Sequence, residues 1–336
     1  EEVDLIRKSL LRAAVTWMEQ ALQRITDAFD HYSRGNYDRM VASLQSILTM
    51  IKKPKCEMHY QFKDQYATMM AQLEKAIKTY NMNNNNTNII QQIAGWCQKM
   101  QDDTSDALKD IHMIQLSSIS PQLNEKTHFK LAVPGTYKPG KELNRIKYFV
   151  GQFNVYMSKQ QPKDVIIMGE DGNFYQYLLK GHEDLRLDER IMQFFRLINS
   201  MLKKETVFQS NLIEVMSVIP LSMSHGLVQW VRGTDTLRSI IEHHRTIHNR
   251  EPLEEYSLLE QFSTNSFDLM EPIQKAQIIE KIFGMVPDTD IADFFWLKTP
   301  NCETWLKQVN TFSISTAMTS IVGYIVGLGD RHPSNL

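Results

Sequence analysis

Apolar residues recur along the front of the chain in steps of three and four. From Leu11, the positions Val15, Met18, Leu22, Ile25, Phe29 and Tyr32 fall on one stripe of a single α-helix. Gly35 and Asn36 break it, and Asn36 is placed to cap a second helix whose stripe is Tyr37, Met40, Leu44, Ile47 and Ile51, closed by Pro54. Phe62, Tyr66, Met69, Leu73, Ile77 and Tyr80 predict a third helix, and Ile89, Ile93, Trp96 and Met100 a fourth. The polar run from Asn81 to Asn88 reads as the loop between them. Four amphipathic helices with short joints predict a helical bundle over residues 1–115, with the Met and aromatic stripes as its core.

After Pro121 the period changes. Two Pro/Gly breaks in Leu131–Leu143 mark a connector over residues 116–143, and strand-like sequence follows from Ile146 to Met157. Val165–Lys180 predicts a β-hairpin turning at Asp171-Gly172, which would put Lys180 at the end of its second strand, on one face with Leu178 and Gln176. Ile191, Phe194, Phe195, Ile198 and Leu202 form a helical stripe, with Asp188 and Glu189 at its start and Lys203 and Lys204 at its end, as the helix dipole favours. Strand sequence around Leu212–Ser222 leads through Leu227–Val231 into helical sequence, where Thr299 is expected to cap a helix with Pro300 in its first position. Strands and then helices predict two lobes, at 144–231 and 232–336, so the fold class is α+β.

Composition bounds what this fold can do. A 336-residue chain with 42% hydrophobic and 23% charged residues has the profile of a globular protein of two or three units. A net charge of -2 gives no overall basic field for nucleic acid, and no local basic patch stands out. Cys56, Cys97 and Cys302 form neither a zinc pair nor a disulfide framework, which predicts a reducing compartment. No apolar run approaches the ~20 residues that span a bilayer, and no transmembrane segment is expected. A start at Glu1 without an initiator Met predicts a missing N-terminal portion.

The chemistry concentrates at the end, in Gly323–Leu336. Phosphoryl transfer needs a carboxylate near the attacking hydroxyl, an oxygen ligand for Mg²⁺ and a cation on the nucleotide phosphates. Asp330 and Asn335 have the spacing of a kinase catalytic loop, but Arg331 and His332 follow the Asp instead of preceding it. The glycines fit neither a Walker-type loop nor a dinucleotide fingerprint. His244 and His248 lack a third metal ligand and read as a solvated helix face. Asp288, Asp290 and Asp293 lack the glycine and glutamate of a calcium loop and read as the charged start of a helix.

The segments VGYIVGLGDRHPSNL, LLKGHEDLRLDERIMQFF and LAVPGTY together resemble the target-of-rapamycin (TOR) kinases of the phosphatidylinositol 3-kinase-related superfamily, over nearly the whole chain. The resemblance implies a serine/threonine protein kinase of growth and nutrient signalling that uses ATP with Mg²⁺, or Mn²⁺ in its place. By the motifs, Lys180 is the phosphate-binding lysine, oriented by Glu183 or Asp188, and Ser158 is the phosphate-contacting serine of the small lobe. The resemblance likewise implies that Val228 and Val231 would offer backbone hydrogen bonds to adenine, that Trp230 would cover the ring and that Thr236 would line the pocket. It also implies that Asp330 would orient or deprotonate the acceptor, His332 would stabilise the transferred group and Asn335 would hold the metal. Gln229 stands where the family has glycine.

The bundle occupies the place of the FKBP-rapamycin-binding (FRB) domain, with Trp96 as the drug-stacking tryptophan and Thr26 as its small hydroxyl residue. Met100 and Asp103 replace expected aromatic residues, so FKBP-rapamycin binding is expected to be weak or absent. The resemblance further implies protein substrates, adaptor and WD-repeat propeller subunits, and a cytoplasmic, endomembrane-peripheral or nuclear location. It also predicts that the Asp-Phe-Gly segment lies beyond Leu336, leaving this stretch inactive alone. A phosphoinositide lipid kinase and a non-catalytic scaffold are the alternative readings.

Overall fold

A computed structural model describes residues 1–82, 87–158, 160–204, 212–262 and 269–336. The chain divides into two units, Glu1–Phe194 with Val215–Trp230, and Phe195–Glu214 with Val231–Leu336.

The first unit begins with α1 (Glu2–Ala14), α2 (Trp17–Ser33), α3 (Tyr37–Ile51), α4 (Glu57–Gln65), α5 (Ala67–Met82) and α6 (Thr87–Lys109). Two of the expected helices are each split. The first breaks at Val15, which is extended, and α2 restarts with a capping box in which Thr16 accepts from the Glu19 amide and Glu19 accepts from the Thr16 amide. The third breaks at Tyr66 between α4 and α5. In both cases the apolar stripe continues across the break, so periodicity alone does not reveal it. Asn36 stands at the start of α3, although its side chain makes no capping hydrogen bond. The central residues 83–86 of the expected polar loop lie outside the described residues.

The first unit holds two cores. Ile25, Met40, Leu44, Ile47, Leu73, Ile93 and Met100 are fully buried in the bundle core, which draws on α2 to α6. Leu10, Ala13, Ala14 and Val15 instead pack in a second core with Phe129, Phe153, Val165, Tyr177 and Leu179. Thus α1 belongs with the sheet rather than with the bundle that it precedes.

That sheet has five strands in the order β2-β4-β5-β7-β6, namely β2 (Ile146–Phe149), β4 (Lys163–Gly169), β5 (Phe174–Gly181), β7 (His225–Gln229) and β6 (Val218–Pro220). All its pairings are antiparallel. A short ribbon pairs β1 (Met113–Gln115) with β3 (Gln152–Asn154). The expected connector contains α7 (Leu116–Ile119) and α8 (Pro121–Glu125), whose Leu116, Ile119 and Leu123 enter the sheet core. The hairpin turns where expected, with Gly172 at φ +82°, a left-handed conformation that favours glycine.

After α9 (Arg186–Leu202), the second unit is built from α10 (Leu237–Ile247), α11 (Glu254–Phe262), α12 (Pro272–Met285), α13 (Asp290–Lys298) and α14 (Cys302–Val326). Thr299 closes α13, and Asn301, not Thr299, is the N-cap of α14, accepting from the Thr304 amide at 2.8 Å. Asn competes well for this role because its short carbonyl reaches the free amides of the first turn.

Two expectations change in this unit. His244 is buried, not solvated. It contacts Asp290 at 3.2 Å, while Arg245 and Arg250 donate to the same carboxylate at 2.7 Å each. Arg245 also forks onto Glu255, so the first residue of α13 is the hub of a buried charge network. The guanidinium hydrogen bonds hold Asp290 below the usual carboxylate range against the opposing effect of burial. In addition, α14, with 25 residues, is long and apolar enough to cross a membrane by length and composition. Its charges, Glu303 and Lys307, lie in the first two turns, and the small and hydroxyl residues that follow disguise an uncharged run.

Candidate active site

In the first unit, the candidate residues gather on β5, β7 and the loop before β4. Lys180 sits near the end of β5, on the face away from the buried Tyr177, Leu179 and Gly181. Its Nζ donates to Glu183 Oε2 at 3.1 Å, and both side chains are about a third exposed, at 31% and 30%. Asp188 lies instead in the first turn of α9. The ammonium is thus held near the solvent-facing end of the strand, where it can also reach an anion. Opposite Lys180 in the ladder stands Gly226, where an added Cβ would come within 2.7 Å of the Ile219 carbonyl oxygen. Only glycine lets the strands close at this point.

Val228 is flanked by Leu178 on β5 and Val218 on β6, so its backbone lies inside the ladder and is not a free hinge edge. This differs from the role expected of it, because β6 covers the side left open in the sequence reading. Just past the strand, the Trp230 amide donates to the Gln176 carbonyl at 2.9 Å. The Trp230 indole is partly exposed and stacks on Tyr156, with centroids 5.7 Å apart and planes within 2°. Tyr156 escaped the sequence reading because a lone aromatic at the end of a short strand carries no periodic signal. Ser158 is exposed in the loop that follows, its carbonyl accepting from the Gln161 amide.

In the second unit, the Val231 carbonyl accepts from the Thr234 hydroxyl, and Thr236 is the N-cap of α10, accepting from the Ser239 amide at 3.1 Å. Capping accounts for the Thr236 hydroxyl without a ligand.

The loop after α14 assembles three candidates. The helix stops at Gly327, left-handed at φ +67°, and the chain reverses with Asp330 also left-handed at φ +56°. Asn335 Nδ2 donates to Asp330 Oδ2 at 2.8 Å and to its carbonyl at 3.2 Å. The Ser334 amide donates to His332 Nδ1 at 3.2 Å, leaving Nε2 to carry the proton, 3.4 Å from Asp330 Oδ1. The loop is pinned to the start of α10, where the Leu237 and Arg238 amides donate to the Leu336 and Pro333 carbonyls. An exposed carboxylate, an imidazole N–H and an amide are therefore fixed within one loop. With Nδ2 committed to Asp330, the amide oxygen of Asn335 remains for a hard cation, and oxygen donors of this kind suit Mg²⁺ or Mn²⁺.

The FRB-type candidates Thr26 and Trp96 do not line one cavity. Trp96 Nε1 donates to the Met69 carbonyl at 2.8 Å, which anchors the half-buried ring between α5 and α6. Thr26 donates to the Leu22 carbonyl and lines a cavity of about 400 Å³ with Ser105 and Leu108, and Trp96 is not part of its wall. Met100 is fully buried.

Residues 174–336 match the family described as phosphatidylinositol 3- and 4-kinase, and residues 9–108 match the FKBP12-rapamycin binding domain. The kinase match runs through α14 and the loop that follows it. Across its whole length the chain is 33% identical to the target of rapamycin homolog of Caenorhabditis elegans and 34% identical to the serine/threonine-protein kinase mTor of Drosophila melanogaster. It is 32% identical to the serine/threonine-protein kinase TOR2 of Saccharomyces cerevisiae. The chain spans 13 to 14% of the length of these relatives.

Proposed function

Because the chain belongs to the target-of-rapamycin family, we propose that the protein carrying it transfers the γ-phosphoryl group of ATP to serine and threonine hydroxyls of protein substrates in growth and nutrient signalling. The observation that carries this reading is the catalytic-type loop, in which Asn335 is hydrogen-bonded to Asp330 and His332 Nε2 stands 3.4 Å from the same carboxylate.

Each side chain has a distinct role. Asp330 accepts a hydrogen bond from the acceptor hydroxyl and takes its proton as the oxygen attacks. His332 directs Nε2–H at charge developing on the transferred group, and its Nδ1 contact with the Ser334 amide fixes that orientation. Asn335 restrains Asp330 through Nδ2 and offers its oxygen to a divalent cation. Such a cation supplies charge neutralisation on the phosphate oxygens. Lys180, steadied by Glu183, binds nucleotide phosphate, and Ser158 contacts phosphate from its exposed loop. Trp230 and Tyr156 form an aromatic wall for the adenine ring, and the Val231 amide supplies the hinge hydrogen bond.

The bundle recruits or restricts substrates, and it binds FKBP-rapamycin weakly or not at all, because Met100, which is buried, and Asp103 stand where aromatic residues are expected. Adaptor and WD-repeat subunits are the partners in this reading.

The acceptor class separates this reading from a lipid kinase. With radiolabelled ATP, the intact protein should label a serine/threonine peptide mixture and leave phosphoinositide vesicles unlabelled. Labelling of the lipid alone would overturn the protein-kinase assignment.

A further inference from the structure

A cavity of about 950 Å³ opens in the first unit where the ends of α1, α2 and α3 meet. Its wall carries Lys8, Arg12, Arg24, Lys53 and Lys55, together with His59, and contains no aspartate or glutamate. Among the described residues, none of these five cations pairs with a carboxylate. The partner shown for Arg24 is a neutral one, the Ser46 carbonyl at 2.9 Å. Lys53 and Lys55 belong to the short basic run at residues 52–55, and folding brings Lys8 and Arg12 of α1 and Arg24 of α2 beside it.

Helix dipoles do not account for the cluster. Arg12 lies in the last turn of α1 and Lys53 just past the end of α3, where cations are favoured. Lys8 and Arg24 lie within helices, and Lys55 lies in the joint before α4. Gathering five like charges around one recess raises their mutual repulsion, which a bound anion relieves. The recess itself is built: His59 is buried, stacks on Trp17 with centroids 3.9 Å apart and accepts from the Lys55 amide through Nδ1. Burial and the charges of Arg12 and Lys55 pull His59 down to about 4, consistent with a positive field at this place. The bundle's half-buried Trp96 is not part of this wall.

We propose that this recess is a binding site for a compact anion carrying two or more phosphate groups, separate from the nucleotide site. Lys53 and Lys55 serve as flexible point charges at the mouth, and the two guanidinium groups provide forked donors for phosphate oxygens. The cavity is of ordinary size for a small-molecule site. The anion can be free in solution or the headgroup of a lipid, and the two sources are separable.

The test is isothermal titration of the full chain with sodium tripolyphosphate at near-physiological salt, in parallel with co-sedimentation on phosphatidylcholine vesicles with and without phosphatidylinositol bisphosphate. Saturable one-to-one binding of tripolyphosphate is expected. Combined Lys53→Gln and Lys55→Gln should weaken it at least about tenfold, and combined Lys138→Gln and Lys141→Gln, in an exposed loop, should leave it unchanged. Both replaced lysines of the recess are exposed, and unchanged circular dichroism verifies the fold. Tripolyphosphate binding alone identifies a soluble anion. Vesicle binding that requires the bisphosphate lipid and is lost in the Lys53/Lys55 variant identifies a headgroup. Absence of binding in both arms, or equal losses from the two lysine pairs, overturns the proposal.

Discussion

The Lys163 ammonium donates to Glu19 Oε1 at 2.6 Å, joining residues 144 positions apart in the sequence. The same ammonium donates to the Ala14 carbonyl at 2.9 Å, one of the carbonyls left free at the end of α1. The second oxygen of Glu19 accepts from the Thr16 amide and hydroxyl. One carboxylate therefore joins the start of α2 to β4, and the lysine that it holds closes α1. Burial lowers the pKa of this lysine and Glu19 opposes that shift.

Removing one partner of this pair should be costly, because it leaves the other charge in a poorly solvated place. Lys163→Met is expected to destabilise the first unit by about 3 kcal/mol. Combining it with Glu19→Gln should cost less than the two single losses added together. Denaturant unfolding of the three variants gives the coupling energy, and strict additivity would show that the pair contributes nothing beyond its separate contacts.

A second stability effect depends on pH. His59 titrates at about 4 in the folded chain against 6.5 ordinarily, mainly because burial disfavours its charged form. Between these values the unfolded chain binds the additional proton, so the contribution is fully present above the unfolded pKa and is lost as pH falls toward 4. The loss should be on the order of 3 kcal/mol. His59→Phe preserves stacking on Trp17 and should flatten this part of the profile. An unchanged slope would show that other groups control acid unfolding.

The Tyr156–Trp230 stack bears on nucleotide recognition. Trp230→Ala should raise the KM for ATP in the intact protein by about tenfold, in line with the ~1–3 kcal/mol typical of base–aromatic stacking. Tyr156→Ala should raise it less, because it removes support for the indole while leaving the indole in place. Equal KM values for wild type and both variants would separate this aromatic wall from the adenine site.

Backbone closeness gives a further prediction. Gly226→Ala places a methyl group 2.7 Å from the Ile219 carbonyl oxygen and 2.8 Å from Leu185 Cδ1. The former neighbour is backbone and cannot swing aside. A loss of about 2 kcal/mol is expected, measured by thermal unfolding, and an unchanged midpoint would mean that β6 yields readily.

The helical stripes, the Asp171-Gly172 hairpin and the Asp330–Asn335 spacing were legible because each is a local pattern with a fixed period or offset. The break at Val15 was also encoded, in the Thr16 to Glu19 capping box, but the uninterrupted apolar stripe masked it. Longer-range features were not legible. The burial of His244 depends on Asp290, and the neighbours of Val228 depend on β6 closing the sheet edge. The basic recess draws its charges from two helices, α1 and α2, and from the joint between α3 and α4. Such features arise from chain segments meeting in space, and no window of sequence contains them.

The most direct test of the account is γ-phosphate transfer by the intact protein carrying Asp330→Asn, measured beside its ATP affinity. Asn335 can still hydrogen-bond to the new amide, so the loop should hold its shape while losing the proton acceptor. The expected result is a fall in kcat of at least about 100-fold with nucleotide affinity nearly unchanged. Transfer at the wild-type rate would contradict it.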